Sequence, residues 1–374
     1  MFSVYQHWDP LKVCIVGRSY PPEFYSWITV PHVRSLFERI AIETEEDYQT
    51  IVKKLEGFGV DVLRPDLPTN PYVNGKYAMP PMNPRDHMVM IGTTFYEKYS
   101  SNFYKLSYEN VKDPSWPDCN NWEKFNNLPI RIQKECKNVF DIGNVQQFYP
   151  EYDKIFSYIK NQGNTIKSGL HVCGATVARI GKDLFFGTLN SKQDHKKLFG
   201  HINAEFLETR NHIINTDGHS DGVYCPVCPG LIISLMDVPT YSNTFPGWEV
   251  IYLPNQSWEK VEPFLKLKTK NKGKWWIPGF EHDQAVIDTV EQWLGHWTGY
   301  VEETVFDVNM LIVNPKNVIV FNYNKQVFDA LELYGITPHI APFRHRYFWD
   351  GGIHCITTDL HREGSMQDYF PQRE

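Results

Sequence analysis

The sequence predicts an α/β protein built from about five similar modules, stacked or set in a ring. Five segments carry this reading. Each is a short β-branched or aromatic run broken by Gly, Pro or Asn, often followed by a second run. They open at Asp86, Thr176, Asp221, Asp307 and Cys355. Amphipathic stretches lie between them, so that helix, glycine, strand and strand pair recur about five times.

The elements follow in order. Glu45 to Phe58 reads as a helix with Tyr48, Ile51, Val52 and Leu55 on one face, Thr44 as N-cap and Gly59 as stop. A strand from Val60 to Arg64 comes next. The stretch from Thr94 to Asn138 breaks the pattern; rich in Asn, Trp, Pro and Tyr, it reads as an insertion or lid. Tyr152 to Gln162 and Trp258 to Leu267 are weaker helices. Lys325 to Tyr334 repeats the first design, with Val327, Leu331 and Tyr334 on a face, Gly335 as stop and a strand from Ile336 to Ile340. One domain over residues 1–374 is expected, with a polar tail that frays after Ser365.

Composition narrows the class. The 374 residues are 42% apolar and 22% charged, which excludes wholesale disorder. Aromatics reach 15%, enough ring surface for a large core. The net charge of −7 argues against a general nucleic-acid binder, which needs basic surface for phosphates. No apolar run approaches the roughly 20 residues that span a bilayer. Met1 to Trp8 has neither the basic start nor the apolar core of a signal peptide. Seven scattered cysteines read as reduced thiols. A cytoplasmic protein is expected.

Three sites could carry chemistry. Cys355 follows a double glycine, Gly351 and Gly352, which lets backbone approach a ligand or take positive φ. On spacing alone a buried free thiol is its commoner fate. His219 and Asp221 would share a face of a strand, and a carboxylate beside an imidazole tunes it as general acid/base. The competing reading is a turn, since Asp217-Gly218 and Asp221-Gly222 are both turn dipeptides. Cys225 and Cys228 have zinc-pair spacing, but no second pair exists and His212 and His219 are poorly spaced. No phosphate-cradling Gly-rich loop occurs. No metal and no cofactor are expected.

Taken together and in order, these pieces resemble the amidinotransferases of the guanidino-group-modifying (pentein) superfamily, such as the arginine:glycine and inosamine-phosphate enzymes. Pro84-Arg85-Asp86, the run from Thr176 through Arg179 to Asp183, Gly218-His219-Ser220-Asp221 with Pro229-Gly230, and Gly351-Gly352 with His354-Cys355, Thr357 and Asp359 carry the resemblance from about Asp86 to Ser365. The His-Cys motif is the most specific of them.

The resemblance implies a five-module, pseudo-fivefold α/β propeller with a central active site. It implies that Cys355 is the nucleophile on the guanidinium carbon of arginine. His219 is the general acid/base, and Asp86 and Asp221 hold the guanidinium through paired charge-assisted hydrogen bonds. The partners implied are small molecules, an arginine donor and an amine acceptor, with a homodimer left open. Glycine, ornithine, lysine, ω-amino acids and amino sugars all remain as acceptors. A hydrolase of the same superfamily and an inactive homologue that binds a guanidino ligand or a protein partner are the alternatives.

Three departures bear on substrate binding. Thr176 stands where the family has an Asp that pairs with the His; Asp141 is a candidate replacement. Glu302 and Glu303 stand where the amidinotransferases tend to carry a Ser pair. Gly218 replaces a bulky Met and should enlarge the acceptor pocket.

Overall fold

The computed structural model describes residues 1–67, 72–73, 76–77, 79–97, 150–168, 173–188, 195–216, 219–235, 241–253, 277, 279–280, 282–294, 307–349 and 351–373. Within them, five three-stranded sheets share one wiring. Two strands pair antiparallel, a crossover follows, and a third strand joins in parallel.

The first module starts with β1 (Leu11–Val16), helix α1 (Pro31–Gly57) and β2 (Asp61–Leu63). A small hairpin, β3 (Tyr72–Val73) and β4 (Lys76–Tyr77), follows. The second module is β5 (Met88–Ile91), β6 (Thr94–Glu97), α2 (Asp153–Asn161) and β7 (Thr165–Ser168). The third is β8 (Val177–Ile180), β9 (Asp183–Thr188), α3 (His195–Glu205) and β10 (Arg210–Asn215). The fourth is β11 (Tyr224–Cys228), β12 (Leu231–Ser234), the short α4 (Tyr241–Thr244) and β13 (Glu249–Tyr252). After α5 (Gln284–Leu294) comes the fifth: β14 (Leu311–Asn314), β15 (Asn317–Val320), α6 (Lys325–Leu333) and β16 (Thr337–Ile340). A last turn, α7 (Arg346–Trp349), leads to β17 (Thr357–Arg362).

β17 pairs antiparallel with β1, Val16 facing Thr357 and Leu11 facing Arg362. The first sheet is thus made from both ends of the chain, and this pairing closes a pseudo-fivefold α/β propeller, as expected. The N-terminal segment adds a stitch: Val4 bridges Gly92 and Gln6 bridges Ile180, tying it to the second and third modules.

Sequence periodicity explains the helices. Buried positions of α1 fall at Val33, Leu36, Phe37, Ile40, Ala41, Thr44, Tyr48, Ile51 and Leu55, a three-and-four spacing that lays one face on the core. Pro31 opens it at a position where no amide donor is needed. Asn324 caps α6 by accepting from the amides of Gln326 and Val327. Gly59 and Gly335 stop α1 and α6 with φ of 75° and 68°.

Three expectations are corrected. Thr44 is not an N-cap but sits mid-helix, where its hydroxyl accepts from buried Trp349 Nε1 at 2.8 Å. The insertion cannot begin at Thr94, because Thr94–Glu97 is the middle strand of the second sheet; residues 98–138 and the helix at 258–267 lie outside the described residues. The tail after Ser365 is packed, not frayed. Phe370 is fully buried against Trp248 and Phe185, and Arg373 reaches the buried carboxylate of Asp183 at 3.1 Å.

One buried ion cluster joins three modules. Asp359 on β17 is fully buried and accepts from Arg85 (3.0 Å), from Arg179 on both oxygens (2.9 Å each) and from Arg362 (2.6 Å). Other donors of these arginines go to carbonyls, while Arg85 Nη1 and Arg179 Nε find no partner among the described residues. Arg179 binds Met90 O, Arg362 binds Asp9 O, and Arg85 Nε binds His354 O and Thr357 O.

Two stability measurements follow. Phe370→Ala should lower unfolding free energy by about 3–5 kcal/mol in a denaturant titration, as a buried ring deletion does; a change within a few tenths would restore the frayed tail. Asp359→Asn strands three buried guanidiniums without a counter-charge. It should cost about 3–5 kcal/mol or prevent folding.

Candidate active site

The strand that opens each module is preceded by a short turn, and these turns bring the candidate residues together. Asp86 ends the turn Pro84–Asp86 before β5. Thr176 ends Gly174–Thr176 before β8, and Asp221 lies in Ser220–Gly222 before β11. Asn309 stands two residues before β14, and Cys355 two before β17. The five positions are pseudo-equivalent around the ring.

Cys355 is 1% exposed. Its sulfur lies 3.6 Å from Asp221 Oδ2 and accepts from Asn309 Nδ2 at 3.2 Å. Asp221 Oδ2 also accepts from His354 Nδ1 at 2.7 Å. His219 Nδ1 stands 3.9 Å from Asp86 Oδ1, an ion-pair separation for a protonated imidazole; these two side chains retain 10% and 15% exposure. The site therefore has a closed floor at Cys355, Asp221 and His354, and a partly open rim at His219 and Asp86.

His219 and Asp221 do not form the expected strand-face pair. Ser220–Gly222 is a 3₁₀ turn, in which each residue rotates about 120°, so that i and i+2 diverge. The partners placed beside Asp221 are His354 and Cys355, and the carboxylate beside His219 is Asp86. Thr176 is buried, but its hydroxyl donates to Cys173 O at 2.9 Å within its own turn. Its carbonyl accepts from Ser220 Oγ, locking two module turns together. Gly218, Glu302, Glu303 and Asp141 lie outside the described residues.

The double glycine serves close packing rather than positive φ. A Cβ on Gly352 would overlap the Asn309 amide, and one on Gly351 would overlap Asn83 Oδ1. Cys225 and Cys228 belong to the core strand β11, where burial pushes their thiols up to about 12 and about 11.

Two residues were missed by sequence reasoning. His354 was visible only as the neighbour of Cys355. Asn309 had a usable signal: it precedes its strand by two residues, as Asp86 and Cys355 precede theirs.

Beneath the floor is a cavity of about 20 Å³ bordered by His7, Asp221, Tyr224, His354 and Arg362. That volume suits one water-sized molecule, not a substrate. Burial, then the Arg85 charge, holds His354 well below the usual imidazole range; burial, then Arg179, does the same to His7. His7 Nε2 accepts from the Arg179 amide at 3.1 Å, as a neutral imidazole must.

No protein-family model matches the chain. The mitochondrial glycine amidinotransferase of Gallus gallus is 22% identical, the alignment covering 98% of this chain and 84% of that protein. Inosamine-phosphate amidinotransferase 1 of Streptomyces glaucescens is 21% identical over 99% of both chains. In fold, the solved structure of SxtG, an amidinotransferase of Microseira wollei in the saxitoxin biosynthetic pathway, superposes with a TM-score of 0.62 at 17% identity and 99% coverage of each chain. The five-module ring and the likeness to SxtG show the pentein fold. By sequence the chain is similar over its whole length to amidinotransferases, which are transferases. Among the described residues no helix is long and apolar enough to cross a membrane.

The buried histidines give a pH dependence. In the unfolded chain both imidazoles take up protons as pH falls through about 6.5, but folded they stay neutral far lower. The unfolded state then binds more protons, so stability falls with pH below 6.5, by up to about 1.4 kcal/mol per unit for each group. Glu97, pushed up to about 8 by burial and then by Glu151 and Asp153, acts oppositely, gaining stability as pH falls toward its ordinary value of 4.5. The histidine effect is isolated by comparing His7→Gln with wild type. From pH 7 to 5 wild type should lose up to about 2 kcal/mol more than the variant. A constant difference would mean that His7 takes up its proton in the fold as readily as in the unfolded chain.

Proposed function

We propose that the protein moves the amidino group of arginine to an acceptor amine. The observation that carries this is the pairing of a buried thiol, Cys355, set against Asp221, with a rim histidine, His219, set against Asp86.

The Cys355 thiolate adds to the guanidinium carbon while Asp221 and Asp86 bind its planar N–H edges. The carbon–Nε bond breaks as His219, protonated, gives its proton to that nitrogen, and ornithine leaves. A cationic amidino-thioether remains on Cys355. The acceptor amine, losing a proton to His219, attacks the same carbon and expels the thiolate. The product carries the new guanidinium, and His219 is again protonated. Thr176 cannot stabilise that imidazolium; the carboxylate of Asp86, 3.9 Å from His219, supports it. Burial of the sulfur favours transfer over hydrolysis by keeping water from the intermediate.

Incubation with arginine, with and without candidate amines, tests the reaction. Ornithine that requires an amine is expected; citrulline would mean a hydrolase, and neither product a binding protein. Intact mass after acid quench should show an amidino adduct that Cys355→Ala abolishes together with turnover. Asp86→Asn should lower kcat/KM for arginine by about 10² or more, since it removes charge from both substrate and His219. Near-native kcat/KM in that variant would remove Asp86 from the site.

A further inference from the structure

We propose that Asn309 is a further residue of the reaction centre, which stabilises Cys355 as its thiolate through the side-chain amide. The inference rests on the reading of Cys355 as the nucleophile.

The geometry fixes the amide's orientation. The backbone N–H of His354 can only donate, and it points at Asn309 from 2.7 Å, so the atom facing it is Oδ1. Nδ2 is then turned to the two acceptors on its other side, Cys355 Sγ at 3.2 Å and the Asp221 carbonyl at 3.3 Å. Both ends of one amide are thereby used on the two consecutive residues His354 and Cys355. The close approach exists because position 352 has no side chain; any Cβ there would displace Asn309.

Charge distinguishes a bound thiolate from mere packing. Asp221 faces the sulfur and opposes a negative charge there, and the same carboxylate oxygen is hydrogen-bonded to His354, which burial holds neutral. Around them stand the rim pair His219 and Asp86, buried His7, and the cluster of Arg85, Arg179 and Arg362 on Asp359. Asn309 donates a hydrogen bond to the sulfur through a neutral amide. A hydrogen bond to the charged form favours that form. The pseudo-equivalent positions in the second and fourth modules carry aspartates, Asp86 and Asp221. An aspartate at 309 would keep the acceptor for His354 N–H, lose the donor, and set a second carboxylate against the sulfur. A neutral amide supplies the shape without that charge.

The test is a pH titration of thiolate ultraviolet absorbance, taken as the difference between each protein and the same protein carrying Cys355→Ala. It needs no arginine, so it reads the thiolate whether or not turnover occurs, while loss of the adduct in Cys355→Ala reads the nucleophile separately. Asn309→Asp should raise the midpoint of Cys355 by a unit or more, a tenfold or greater loss of thiolate at neutral pH. Asn309→Ala should raise it by less. An unchanged midpoint in either folded variant overturns the proposal. So does a Cys355 that does not ionise at all in wild type. If Asp, Ala and Ser variants all fail to fold, Asn309 is a determinant of the fold and the proposal also falls.

Discussion

Asp359 holds three guanidinium groups in a space from which water is excluded, and the backbone of the site is built on that contact. Burial opposes each charge: it lowers Arg179 to about 10, against which the nearby Asp359 works, and Arg179 still stays protonated at neutral pH. Asp359 in turn is held well below the usual carboxylate range by Arg179, Arg85 and Arg362, in spite of burial. Such a cluster contributes little net stability over a packed apolar core, but losing its anion would be severe. What it specifies is position. Arg85 binds the carbonyls of His354 and Thr357, one residue before Cys355 and two after it. The Arg85 amide also donates to Cys355 O. The backbone around Cys355 is therefore clamped on both sides by a residue from another module.

That clamp explains a division within the motifs. Each gives its ring position to one purpose and lends a neighbour to another. Arg85 goes down to the cluster while Asp86 faces the site; Asp359 anchors while Cys355, four residues earlier, faces the site. Thr176 and Arg179 split the same way, except that Thr176 turns its hydroxyl into its own turn. The third module thus contributes shape but no charge to the centre, and Asp86 from the second stands beside His219 instead.

The repeat was legible because the pairing pattern recurs, with a short polar side chain or the cysteine at each strand entrance. What was not legible is where polar side chains find buried partners. Thr44 interrupts an apolar stripe and so imitates a cap, although its partner Trp349 lies 305 residues away. The tail holds one buried ring among polar residues, and no local pattern shows that Arg373 reaches Asp183. In the site, Cys355, Asp221, Asp86 and His219 were legible through the motifs. Their pairing was not, because it depends on a 3₁₀ turn where alternation suggested a strand. Asn309 carries no ionisable group, and only the register of the ring gives it away.

On the proposed reading, the pairing also locates the choice between amine and water. The sulfur is closed off below by Asp221, Asn309 and His354, and the cavity beneath admits no more than a water-sized molecule. Arginine and acceptor must both reach it past His219 and Asp86, the two site groups that keep some exposure. The same imidazole that released ornithine then faces whichever nucleophile enters. A cationic amine is drawn to Asp86, releases one proton to solvent and gives the next to His219 as it attacks; water has no such attraction. Selection of an amine is therefore exerted at the rim, by the carboxylate that occupies the place beside His219 that Thr176 leaves without charge.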